Sequence, residues 1–217
     1  EQREQEFLRE RYLSKEPTIS TFVRITAGRA KNFKIEIPRN TRPLTDRMKV
    51  RIFDVLGSDI ANKSVLDLYA GAGSFALEAL SRGAKEATLV DASKQGNIII
   101  QRNVAHTGFL PQADVIKSKV EDFIQKYKES DKTWDIIFMD PPYKLYNTKR
   151  VEKMERIIND ASFLLPGVKN PKTKKFKGAF IIKHPKRYPI DKLNLKHIKR
   201  VDTYEFGLNS ISLYIVK

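Results

Sequence analysis

The chain contains no cysteine, one tryptophan, three methionines and three histidines in 217 residues. Without cysteine there are no disulfides, no thiolate metal centres and no thiol nucleophile. His106, His184 and His197 are scattered without ligand spacing, so no metal site is expected. No stretch approaches the ~20 apolar residues of a membrane span. The opening segment EQREQEFLRERYLSKEP lacks the apolar core of a signal peptide and begins at Glu1, as a fragment or processed chain would. These absences suit a cytoplasmic protein that is not tied to a membrane.

Acidic residues are also scarce. Against 41 Lys and Arg there are 26 Asp and Glu, a formal net charge of +15. So large an imbalance concerns partners and not fold. Nucleic acid is the usual partner of such a chain, and an anionic membrane surface is the weaker alternative. Between residues 24 and 51, nine basic side chains meet only Glu36 and Asp46. Arg24, Arg29, Lys31, Arg42 and Arg47 are the candidate nucleic-acid contacts there; they would hold phosphates without reading sequence. Arg42, Asp46 and Arg47 could equally tie this segment to the core. The lysines at 169, 172, 174, 175 and 177 form an acid-free loop, either a second phosphate contact or a solvated connection.

Apolar content is 41%, enough for one core of ordinary size. The spacing divides the chain into a charged arm (1–20), a small hairpin and helix (21–58) and a main domain (59–217). TFVRITAG and NFKIEIP alternate as a β-hairpin does. A helix opens near Thr45, carries Val50, Phe53 and Leu56 on one face, and stops at Gly57. From residue 64 onwards, apolar strands alternate with helices: SVLDLYAG, EATLVDAS, ADVIKS, WDIIFMDPP and GAFIIKHP are the strands. That rhythm implies βαβ units and a mostly parallel, doubly wound α/β sheet of order 3-2-1-4-5. HIKRVDTYEFGLNSISLYIVK adds an antiparallel pair at its edge, making seven strands. Trp134 and Glu78 read as structural residues.

The stretch DLYAGAGSFALEAL sets Gly71 and Gly73 at a strand-to-helix turn, just after Asp67. Gly71 permits the bend, Gly73 lets backbone approach a ligand, and the following helix offers free N–H groups to an anion. Asp91, 20 residues after Gly71, ends the next strand where a carboxylate meets ribose hydroxyls. A nucleoside-bearing cofactor is expected, with NAD and S-adenosylmethionine both open at this point.

The run FMDPPYKLYN poses a different question. One proline already ends a strand; two make a rigid acceptor edge with free carbonyls. In the expected order this strand neighbours the glycine strand at the switch point, so Asp140-Pro141-Pro142-Tyr143 lies beside the cofactor turn. Asp140 and the Pro141 carbonyl can hold the two N–H groups of an exocyclic amine, while Tyr143 stacks on its base.

These residues resemble a known family. Asp-Pro-Pro-Tyr is similar to the [D/N]-P-P-[Y/F] motif of S-adenosylmethionine-dependent amino methyltransferases. RITAGRAKNFKIEIP, TRPLTDRMKVRIFDVL, LDLYAGAGSFALEALSRGA, DPPY and YEFGLNSISLYIV, in that order, resemble the RsmD family of 16S rRNA (guanine-N2)-methyltransferases over residues 22–217. The resemblance implies a Rossmann-like class I methyltransferase domain with a small N-terminal hairpin, acting on rRNA in the small subunit or an assembly intermediate, and a monomer. It implies S-adenosylmethionine held by Asp67, Tyr69, Ala70, Gly71, Gly73, Asp91, Ala92, Val120 and Glu121. Val50, Leu44 and Lys119 depart from the family pattern, the last where the adenine is expected. The rival readings are an adenine-N6 methyltransferase and a non-catalytic RNA-binding assembly factor.

Overall fold

Strand β3 (Ser64–Leu68) has no polar side chain except Asp67 after its first residue, and it lies in the middle of the sheet. A strand covered on both faces has to be apolar throughout. A computed structural model describes residues 17–217; the expected charged arm falls outside them, apart from its last four residues. The main sheet also contains β4 (Glu86–Asp91), β5 (Ala113–Lys117), β6 (Ile136–Met139), β7 (Ala179–Pro185), β8 (Ile198–Phe206) and β9 (Asn209–Val216). Its order is β5-β4-β3-β6-β7-β9-β8, parallel from β5 to β7, with β9 antiparallel to both β7 and β8. This is the expected doubly wound order, with the antiparallel pair at its edge. A separate two-stranded sheet joins β1 (Ile19–Arg24) to β2 (Lys34–Pro38).

The crossovers are α2 (Ser74–Ser81), α3 (Lys94–His106), α4 (Val120–Lys128) and α5 (Val151–Ser162), after α1 (Asp46–Leu56) in the N-terminal element; a short α6 (Pro166–Lys169) follows α5. Apolar residues fill both faces of the sheet. Val65, Phe75 and Phe138 belong to one layer, while Leu66, Leu68 and Met139 belong to the other with Trp134. Phe53, Phe75 and Phe138 stack in a row, centroids 5.3 and 4.2 Å apart. Trp134 is a core residue as expected; its Nε1 donates to Thr88 at 3.0 Å.

Helix α1 starts where expected, with the Thr45 hydroxyl accepting from Met48 N, and ends at Gly57. Its inner face is different from the expected one. Val50 is 41% exposed, whereas Lys49 is fully buried with Ile52, Phe53 and Leu56. The reason is Glu78 on α2, itself fully buried, whose carboxylate lies 3.6 Å from Lys49 Nζ. Lys49 also donates to the Arg24 carbonyl and approaches Asp46 at 3.4 Å. Glu78 accepts from the Thr26 N–H and hydroxyl and from Arg82 Nε at 3.0 Å. Lys49 therefore leaves the basic surface counted from the sequence.

Two further side chains hold the hairpin to the main domain. Asn103 is almost fully buried; its amide donates to the carbonyls of Glu36 and Ala72 at 2.9 Å and its oxygen accepts from Glu36 N at 2.8 Å. Ser81 Oγ donates to the Ala27 carbonyl at 2.6 Å and accepts from Ala30 N at 2.9 Å. The hairpin, α1 and the main domain share one apolar layer, which includes Ile25, Ile35, Ile52 and Leu80. In the lysine loop, Lys169 is likewise structural. Its ammonium donates to the carbonyls of Tyr127 and Ser130.

Removing Glu78 takes away the fully buried carboxylate that faces the Lys49 ammonium. Glu78→Leu is expected to lose about 3–5 kcal/mol in urea unfolding, and adding Lys49→Met should recover part of that loss.

Candidate active site

The parallel pairing of β3 with β6 aligns Leu68 with Met139, so both strands end at the same edge. The glycine turn leaves one and the Asp-Pro-Pro-Tyr run leaves the other. Between them opens a cavity of about 690 Å³. Asp67, Tyr69, Ala70, Gly71, Asp91, Ala92, Val120 and Glu121 line it, as do Asp140, Pro141, Pro142 and Tyr143. Of the candidate cofactor residues, only Gly73 is missing from this lining. It sits behind the turn in the left-handed region, where an added Cβ would come within 2.8 Å of Leu89. Its φ of 81° lies where a side chain is strained, which is what calls for glycine there.

The turn is built by its carboxylates. Asp91 accepts from Gly71 N at 2.9 Å through one oxygen and from Ser93 N at 2.8 Å through the other. Asp67, 1% exposed, accepts from Ala76 N at 3.2 Å and so caps α2. Burial holds the Asp67 carboxyl well above the usual carboxylate range, and the charges of Asp140 and Asp91 add to that. Gly71 has φ 61°, and Tyr69 takes the same left-handed region at φ 60°. For a tyrosine this conformation costs about 1–3 kcal/mol. It places an aromatic side chain in the cavity wall whose buried hydroxyl has no partner among the described residues; the buried Ser74 hydroxyl is in the same position. Burial raises the Tyr69 phenol beyond its ordinary range. No acceptor among the described residues meets the N–H groups of Ser74 and Phe75 at the start of α2.

On the opposite wall, Asp140 Oδ2 accepts from Lys183 Nζ at 3.1 Å. Lys183 lies on β7 and is only 5% exposed. Burial raises the Asp140 carboxyl, and Lys183 opposes that shift. The Pro141 carbonyl accepts no hydrogen bond from the described residues. Tyr143 is 45% exposed; its hydroxyl donates to Asn209 at 2.7 Å and accepts from Arg42 at 3.2 Å. The Arg42 guanidinium also lies 4.7 Å over the Tyr143 ring, covering one of its two faces.

Arg42 is thus the one candidate nucleic-acid contact that lines the cavity. Arg24, Arg29, Lys31 and Arg47 are exposed outside it, with Arg29 stacked 4.6 Å over Phe109. Sequence reasoning missed Lys183, Asn209 and the brace of Asn103. Lys183 stands in the apolar run AFIIKHP, where a lone lysine facing a strand-end carboxylate two elements away was the available signal. Leu44 and Lys119, which depart from the family pattern, both line the cavity.

Comparison with known proteins now adds to this geometry. Residues 23–214 match the family described as Conserved hypothetical protein 95. The chain belongs to that family. It is the RsmD family of the sequence resemblance, and curated members carry corresponding names. Ribosomal RNA small subunit methyltransferase D of Buchnera aphidicola (strain APS) is 34% identical over 116 residues, covering 54% of this chain and 58% of the relative. The match thus spans under two thirds of that relative's length. Among solved structures, the yhhF protein of Escherichia coli superposes with a TM-score of 0.71 at 23% identity, covering 91% of this chain and 99% of its own. SMU.776, solved as a complex with SAH (S-adenosylhomocysteine), reaches a TM-score of 0.64 at 16% identity over 84% of this chain and 54% of its own. The RsmD-type fold, a class I methyltransferase sheet with an N-terminal hairpin, is as expected.

A carboxyl that burial raises makes the native state lose stability as pH climbs from the unfolded carboxylate range through the raised value. Asp67→Asn removes that loss. Its melting temperature relative to the parent should therefore rise between about pH 4 and pH 8 in a pair of thermal melts.

Proposed function

We propose that the chain transfers a methyl group from S-adenosylmethionine to the exocyclic N2 amine of a guanine in 16S rRNA. The observation that carries this reading is a single cavity with two unlike walls. One wall has free donors and carboxylates suited to a nucleoside bearing an amino acid; the other has the fixed acceptors Asp140 and Pro141. A cofactor with a carboxylate end fits the first wall. The N–H groups of Ser74 and Phe75 and the Ser74 and Tyr69 hydroxyls, which have no partner among the described residues, are what such an end would meet. Asp91, whose oxygens each keep a lone pair beyond their backbone bonds, would hold the ribose hydroxyls. Val120 and Glu121 would border the adenine.

When bound, S-adenosylmethionine supplies an electrophilic methyl group. The rest falls to the chain. Asp140 Oδ1 and the Pro141 carbonyl each accept one N–H of the target amine, which turns its lone pair out of the base plane. The two prolines hold those acceptors rigid, so little reorganisation is needed during transfer. In this reading Asp140 Oδ1 receives the proton that the nitrogen loses after attack. Tyr143, steadied by Arg42 and Asn209, stacks on the base through its uncovered face. Arg24, Arg29, Lys31 and Arg47 hold phosphates of the surrounding RNA, on a small subunit or an assembly intermediate, with the protein acting as a monomer.

The names of the curated relatives support a ribosomal RNA substrate. The test is nucleoside analysis after incubating the protein and labelled S-adenosylmethionine with small subunits lacking the modification. Label in N2-methylguanosine is expected. Label in N6-methyladenosine would replace the guanine reading, and absence of both transfer and cofactor binding would make the chain an assembly factor.

A further inference from the structure

Lys183 is a buried lysine on a central strand, and none of the roles assigned so far uses it. Burying an ammonium is costly unless a partner compensates it. Its partner is Asp140 Oδ2 at 3.1 Å, with the lysine side chain 6% and the aspartate 25% exposed. The backbone of Lys183 is fixed as well. Its carbonyl accepts from the Tyr146 hydroxyl at 2.5 Å, and its register is set by pairing with Ile211. Tyr146 belongs to the same turn as Asp140, so β7 and the Asp-Pro-Pro-Tyr run are tied at two points.

We propose that Lys183 is a positioning residue for methyl transfer: by claiming Oδ2 of Asp140 it leaves Oδ1, in the same cavity wall as Pro141, as the acceptor that meets the target amine. This rests on the reading of the site as an amino methyltransferase. An amine has two N–H groups, and the site then offers two acceptors in a fixed relation. Without the ammonium, the Asp140 carboxylate could turn either oxygen inward, and burial would favour its neutral acid. The neutral acid has lost one acceptor and gained a donor that repels the amine. Asp67 from β3 and Tyr146 feel the Asp140 charge, and the other titratable groups lining the cavity are Arg42, Tyr69, Asp91, Lys119, Glu121, Tyr143, Lys144 and Lys153. Among the described residues, none of these bonds to the Asp140 carboxylate; Lys183 does.

The test uses Lys183→Met and Lys183→Arg in the full chain, with two readouts. The first needs no substrate: the Asp140 side-chain carboxyl is titrated by 13C NMR, its signal assigned by its loss in Asp140→Asn. Lys183→Met should raise its midpoint by about one unit or more, and Lys183→Arg should stay near the parent. The second is the pH profile of single-turnover transfer. Lys183→Met should slow transfer by about tenfold or more at neutral pH and move the acid limb upward, with SAH affinity held. In an Asp140→Asn background, Lys183→Met should add less than about twofold, because the lysine acts through the aspartate. An unchanged NMR midpoint would overturn the proposal whatever reaction the protein performs. Normal midpoints with slowed transfer, unrescued by arginine, would reduce Lys183 to a packing residue. A shifted midpoint with no methylated guanosine from the parent protein would uphold the pair and defeat the substrate reading instead.

Discussion

The parallel pairing of β3 and β6 is the constraint on which the site depends. The Leu68 and Met139 ends that they align are 71 positions apart in the chain, and nothing local joins them. The pairing follows from the apolar character of both strands and from the handedness of the crossovers, which place the fourth strand of the series next to the first. Once it forms, two chemically unlike loops share one edge. The glycine turn contributes donors and a helix N-terminus, and the double proline contributes acceptors. Neither loop is informative alone.

A second constraint fixes the N-terminal element. Buried side chains make several of its polar contacts with the rest of the protein: Glu78 and Ser81 on α2, and Asn103 on α3. Asn103 bonds to both the hairpin edge and the Ala72 carbonyl, so the same amide braces the hairpin and the loop that follows Gly71. Arg42, between hairpin and α1, then reaches the Tyr143 ring. The basic face is thereby held in register with the cavity, as a substrate gripped by its phosphates would require if one base is to enter. Tyr69 adds a local cost, its left-handed backbone being held by the pairing on either side of the turn.

Much of the architecture was legible because it follows from period and punctuation. Apolar runs gave the strands, Gly57 and Thr45 bounded α1, and the double proline marked the end of β6. The cavity was legible too, since Asp67, Gly71, Asp91 and Asp140 take their places from strand ends. Burial of charge was not legible. Lys49 and Lys183 look like surface lysines in a basic chain, and what buries them are Glu78 and Asp140, the latter 43 residues distant from its lysine. The same cause alters the inner face of α1: Phe53 and Leu56 pack inward as expected, while Lys49 and not Val50 is buried beside them. Gly73 shows a smaller error of kind. It was expected at the cavity surface and lies behind the turn, where its φ of 81° calls for glycine.

The central claim is that cofactor and amine are handled by opposite walls of one cavity, with Asp140 belonging to the amine wall. Asp140→Ala separates the two. SAH affinity measured by calorimetry should stay within about twofold of the parent, while single-turnover methyl transfer falls by about a hundredfold or more. Full transfer in that variant, or loss of cofactor binding together with transfer, would contradict the account.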